Sequence, residues 1–154
     1  MGKNTRLALV VMILVATGMV SFVAAQPRTT TGYDLQIIDA YYADLDGDGY
    51  EDDIKILVEF SFTSNEPSKV DMRLTIELPS GTVYSFRVSV YRPPTKSVLN
   101  IDCIDMATES GWYTVTMIAS VMGTGNGKIY VTDQLKFDPP TETGPGLPGV
   151  EAYF

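Results

Sequence analysis

Residues 70–78 alternate without a break: Val70, Met72, Leu74, Ile76 and Leu78 are apolar, and Asp71, Arg73, Thr75 and Glu77 between them are polar. Successive side chains of an extended chain point to opposite faces, so this pattern specifies a strand with one face buried and one wet. The same period recurs along most of the chain. Residues 33–43, rich in Leu, Ile and Tyr, read as a first strand, and residues 54–63 as a second with Ile54, Ile56, Val58, Phe60 and Phe62 on one face. Pro79-Ser80-Gly81 turns the third strand into a fourth at 82–91, where Tyr84, Phe86, Val88 and Val90 share a side. Pro93-Pro94 ends it, because proline cannot donate to a ladder. Residues 98–104, the series Tyr113, Val115, Met117, Ala119 and Val121, and residues 128–137 complete the set.

About seven short strands with turn signals every 8–12 residues, and no helical period after residue 25, predict an all-β chain. The expected fold is an antiparallel immunoglobulin-like β-sandwich over residues 33–138. The stretch Asp105-Met106-Ala107-Thr108-Glu109-Ser110-Gly111-Trp112-Tyr113 brings a Gly and then a Tyr into a strand. It resembles the tyrosine corner of immunoglobulin-like and fibronectin type III domains, in which the hydroxyl bonds to upstream backbone. Trp112 and Tyr113 point in opposite directions, so one of them belongs to the core.

The first 25 residues have a different character. Lys3 and Arg6 precede an apolar run from 7 to 23, and Val23-Ala24-Ala25 supplies the small-residue pattern that a signal peptidase reads. Seventeen residues is at the lower limit for a retained span, so cleavage is the expectation, with residues 26–32 as a spacer. The expected location is therefore extracellular or at the cell surface. Cleavage leaves 129 of the 154 residues, and removing Lys3 and Arg6 takes the formal charge from −8 to −10. So acidic a chain repels nucleic acid and anionic lipid and favours divalent cations.

Cys103 is the single cysteine, so an internal disulfide is impossible and stability must come from a core, a metal or assembly. With no histidine, Ser-His-Asp and Cys-His catalysis and the usual zinc and iron sites are excluded. Asp102 and Asp105 invite comparison with a glycosidase pair, but two acids three apart near a strand end read as solvated groups. Gly123-Thr124-Gly125-Asn126-Gly127-Lys128 lacks phosphate-loop spacing, and Asn126-Gly127 reads as a hairpin turn. No nucleophile, base and pocket assemble, so the chain is expected not to be an enzyme.

The strongest chemical motif is Asp44-Leu45-Asp46-Gly47-Asp48-Gly49-Tyr50-Glu51-Asp52-Asp53. Side-chain oxygens fall at loop positions 1, 3, 5 and 9 as Asp44, Asp46, Asp48 and Asp52, with the Tyr50 carbonyl at position 7 and Gly49 at the sharp turn of position 6. Hard Ca²⁺ takes six to eight such oxygens in flexible geometry. Acidic Asp/Gly turns also form without metal, but six carboxylates in ten residues repel one another unless a cation sits among them. Position 12, a bidentate Glu in EF-hands, is Lys55, and a strand follows, which excludes a helix–loop–helix. Without that Glu the expected calcium affinity is on the order of 10⁻⁴ to 10⁻³ M.

The motif resembles the calcium hairpins of integrin-type FG-GAP repeats, whose pattern is Asp-x-Asp-Gly-Asp-Gly-x-x-Asp. Asp44, Asp46, Asp48 and Asp52 match its four carboxylates. The resemblance implies an ion at the tip of a hairpin joining strands one and two, and the absence of a second copy speaks against a propeller.

After Phe137 the chain becomes a Pro/Gly/Thr-rich tail over 139–154, expected to be flexible. Residues 146–152 partly resemble the PGF-type C-terminal sorting signals of archaeal surface proteins, with Val150 in place of the Phe. Together these features predict a non-enzymatic envelope, adhesion or interaction module whose partner is a cell-surface protein or glycan. A carbohydrate-binding accessory domain is the alternative, with Tyr41, Tyr42, Tyr84, Tyr91 and Tyr130 as its candidate sugar-stacking residues.

Overall fold

The structure is a computed structural model that describes residues 14–15, 33–63, 66–123, 129–138 and 146–154. The expected signal peptide, apart from Leu14 and Val15, and the expected 26–32 spacer lie outside the described residues, as do 139–145 of the tail and the expected Asn126-Gly127 turn.

The strands in chain order are β1 (Leu14–Val15), β2 (Tyr33–Ala43), β3 (Asp53–Phe62), β4 (Lys69–Glu77), β5 (Val83–Tyr91), β6 (Lys96–Ile104), β7 (Tyr113–Met122), β8 (Ile129–Phe137) and β9 (Gly149–Tyr153). They form two antiparallel sheets, β2-β3-β6-β9 and β5-β4-β7-β8, with the two-residue β1 on the outer edge of β5. Hairpins join β2 to β3, β4 to β5 and β7 to β8, and the chain changes sheet after β3, β5, β6 and β8. The result is the expected antiparallel sandwich, with eight strands of five residues or more rather than about seven.

Alternation builds the core. Ile54, Ile56, Val58 and Phe60 of β3 are fully buried, and so are Leu99 and Ile101 of β6. They face Val70, Met72, Leu74 and Ile76 of β4 and Val115, Met117, Ala119 and Val121 of β7. Burying such side chains contributes about 1.5–3 kcal/mol each, the main drive available to a chain without disulfides. Cys103 is part of this apolar interior, where burial pushes its thiol pKa far up and leaves it inert.

Two features depart from the sequence reading. In β2 the register slips between Ile37 and Asp39, making Ile38 an extra residue of a bulge. Strict alternation from Leu35 and Ile37 would drive Asp39 inward. The bulge instead leaves Ile38 and Asp39 exposed and returns Ala40 to the core. Asp133 of β8 caps the distortion, its Oδ2 accepting the Ile37 N–H at 2.8 Å.

The second departure is β9, which forms within the expected flexible tail. It pairs with the outer edge of β6, Val150 opposite Cys103 and Ala152 opposite Ile101, with both apolar side chains buried. The sandwich therefore extends past the expected boundary at residue 138. The reason is edge complementarity: β6 presents unpaired N–H and C=O groups that a short strand satisfies.

Candidate metal centre

The hairpin from β2 to β3 carries the acidic loop at one end of the sandwich, and its backbone winds around its own carboxylates. Asp44 Oδ1 accepts the Gly47 N–H at 2.7 Å, and Oδ2 accepts the Gly49 N–H at 3.1 Å. Asp46 and Asp48 each close an Asx turn, accepting the N–H groups of Asp48 at 3.0 Å and Tyr50 at 2.8 Å. Gly49 has φ 95, a conformation that a side chain would strain. Each carboxylate oxygen still has a lone pair for a cation, since one N–H bond uses only half its capacity.

The predicted ligands fall into two overlapping groups. Asp44, Asp46 and Asp48 bring one oxygen each within 4.8 Å of one another, all on exposed side chains. Asp48 does the same with Asp52 and with Asp105, both buried. Asp48 is thus common to both. Tyr50 lies on the exposed rim, with its N–H committed to Asp48.

Asp105 is the residue that the sequence reading missed in this role. It follows β6, 53 positions beyond Asp52 in the chain, where spacing alone suggests a solvated acid beside Asp102. The structure separates the pair. Asp102 bonds Lys55, Oδ1 to Nζ at 2.5 Å, and accepts the Tyr153 hydroxyl at 3.2 Å. Asp105 is buried, its backbone is in the left-handed region at φ 54, and its Oδ1 has no hydrogen-bond partner among the described residues. Burial raises the Asp105 pKa, and the nearby Asp52, Asp46, Asp53 and Asp48 raise it further. Its sequence signal is faint, a polar residue where β6 runs out.

Asp53 differs from its neighbours although it belongs to the same acidic run. Fully buried, it accepts three backbone N–H groups: Leu45 at 2.6 Å and Asp46 at 3.2 Å on Oδ2, and Asp105 at 2.8 Å on Oδ1. The Ala107 N–H reaches the Asp52 carbonyl at 2.7 Å. These bonds splice the β2–β3 loop to the β6–β7 turn and hold the carboxylates of both together.

Lys55, at loop position 12, turns away from the acids and packs beside Asp102 and Tyr153 with its ammonium 4.7 Å from the Tyr153 ring centroid. Burial alone would lower its pKa, but the bonds to Asp102 and Tyr153 outweigh this and raise it. Among the described residues no Lys or Arg pairs with Asp44, Asp46 or Asp48. The arrangement supplies hard, anionic oxygen donors and no soft ones, a donor set suited to Ca²⁺ or Mg²⁺ rather than to thiolate- or imidazole-seeking metals.

At the β6–β7 turn, Tyr113 is buried and its hydroxyl donates to the Glu109 carbonyl and accepts the Glu109 N–H, both at 2.8 Å. Trp112 is 65% exposed, so the two aromatics divide between core and surface. Tyr41, Tyr42, Tyr91 and Tyr130 are exposed, while Tyr84 packs partly against the core. No protein-family model, curated protein or solved structure matches this chain.

Proposed function

We propose that this chain is a non-enzymatic secreted or cell-surface module, an immunoglobulin-like sandwich of the fibronectin type III kind, stabilised by one calcium ion and working in envelope structure or adhesion. The single observation behind the calcium assignment is the double carboxylate group centred on Asp48, gathered by backbone bonds, with no Lys or Arg paired to Asp44, Asp46 or Asp48 among the described residues. Packing such charges without a cation is repulsive, and calcium at extracellular concentration relieves it. The tyrosine-corner bonds of Tyr113 support the immunoglobulin-like assignment. The apolar segment ending at Ala25 supports export.

The test is a thermal melt with and without chelator. Saturating calcium at about 100 times its Kd adds about 2.7 kcal/mol, a rise in Tm on the order of 10 °C for a domain of this size. Asp48→Ala is expected to melt at one temperature in calcium or EGTA. A wild-type melt indifferent to EGTA ends the calcium reading. For export, N-terminal sequencing of protein recovered from the medium is expected to begin at Gln26, and an intact Met1 there would exclude cleavage.

A carbohydrate-binding role is the second reading, favoured by the outer face of the β5-β4-β7-β8 sheet. There a shallow groove is lined by Arg73, Arg87, Ile118 and Tyr130, with Ile118 and Tyr130 more than half exposed. Arg73 and Arg87 are direct cross-strand partners, and with Asp71 they set hydrogen-bonding groups beside the exposed Tyr130 ring, the mix that a sugar's hydroxyls and apolar face would meet. A glycan array separates the readings, because only this one expects retention that is lost in Tyr130→Ala.

A further inference from the structure

The acidic loop lacks one ligand of its own pattern, and a distant residue stands ready to supply it. Position 12 of a calcium loop provides a bidentate carboxylate, but here it is Lys55, already engaged with Asp102 and Tyr153. The Asp105 carboxylate comes instead from the turn after β6 and lies within 4.8 Å of those of Asp48 and Asp52. Asp105 is only 7% exposed, and its buried Oδ1 meets no donor among the described residues. A carboxylate oxygen withdrawn from water without a partner is costly, and the fold keeps this carboxylate beside two other acids.

Resting on the calcium reading above, we propose that Asp105 is a calcium ligand that completes the site in place of the loop's twelfth position, so that one ion ties the β2–β3 loop to the β6–β7 turn. Asp53 holds the Asp105 N–H and so fixes the turn that aims the carboxylate. Gly146, just before β9, packs so closely on Asp105 that a Cβ there would collide with both carboxylate oxygens. An ion that fixes Asp105 therefore also steadies the approach of the C-terminal strand. A fifth carboxylate in the site takes the affinity above the range expected for the loop alone, to a Kd below about 10⁻⁴ M.

The test is calcium titration by calorimetry on the full chain after chelator removal, comparing wild type with Asp105→Asn. The variant is expected to bind calcium at least about ten-fold more weakly, while melting in EGTA at or above the wild-type temperature because a repulsive charge is gone. If wild type binds calcium and Asp105→Asn binds equally well, this inference is overturned and the calcium reading stands. If wild type itself takes up no calcium, both fall.

Hydrogen exchange of wild type decides the matter should the variant not fold. Calcium is expected to protect amides at 105–107 and 146–147 together with the loop, and a footprint confined to residues 44–53 would overturn the proposal.

Discussion

Asp53 and Asp105 are 52 positions apart, yet the Oδ1 of the first accepts the backbone N–H of the second at 2.8 Å in the buried interior. The same Asp53 carboxylate also holds Leu45 and Asp46, so one side chain joins two loops that meet because β3 and β6 pair as antiparallel neighbours in one sheet.

Asp53→Ala removes an acceptor from three backbone donors at a fully buried position. Orphaned buried donors cost about 1–3 kcal/mol each, so the variant should lose about 3 kcal/mol or more in urea unfolding. The loss should appear in EGTA as well as in calcium, since these bonds run from carboxylate to backbone N–H and need no ion as a partner. A loss seen only in calcium would make Asp53 a ligand instead.

Tyr113→Phe deletes both corner bonds at Glu109 and is expected to cost about 1–3 kcal/mol. Burial pushes the Tyr113 hydroxyl up to about 12 from 10.0. A raised acid pKa keeps the proton on the folded state, so its contribution is intact below pH 10 and falls as pH rises toward 12. Melts from pH 8 to 12 should show that decline in wild type and a shallower one in Tyr113→Phe. Parallel curves would remove Tyr113 as the cause.

Lys55 and Asp102 form a largely buried pair that Tyr153 completes from β9. Asp102→Ala strands the ammonium and should cost about 3 kcal/mol, whereas Lys55→Met with Asp102→Leu should recover most of it. Because Tyr153 lies on β9, hydrogen exchange in β6 opposite it should rise in Asp102→Ala. If the double variant is as unstable as the single, the pair is not the determinant.

Asp71 receives bonds from Lys69 and Ser89. Burial tends to raise its pKa, but these partners and the Arg87 charge outweigh that and hold it below 3.8. With the folded value depressed, its contribution is complete above the unfolded pKa and is lost as pH falls through the folded one. Acid melts of Asp71→Asn should therefore be flatter below pH 4 than those of wild type. An unchanged acid limb would assign it to other carboxylates.

The strands were legible because their signal is local. Val70 to Leu78 alternates, and burial follows that alternation residue by residue in β4. Asp44, Asp46 and Asp48 were legible for a similar reason, since the spacing that closes their Asx turns is written within five residues. The bulge at Ile38 was not, because a β2 residue leaves register in answer to a core and an Asp133 that lie elsewhere in the chain. Nor was β9, a run of only five residues after a Pro/Gly-rich stretch, too short to declare a strand until the edge of β6 pairs with it.

By itself, then, the sequence determined an all-β chain with one acidic hairpin, because side-chain period and loop spacing act between near neighbours. Only the tertiary structure decided that the hairpin's acids meet a further one. Asp102 and Asp105 look alike as letters, but the pairing of β6 with β3 sets Asp102 opposite Lys55 and leaves Asp105, past the strand end, buried against Asp48 and Asp52. Whether a carboxylate is paired with a cation or gathered among other carboxylates depends on which loops the sandwich brings to one end.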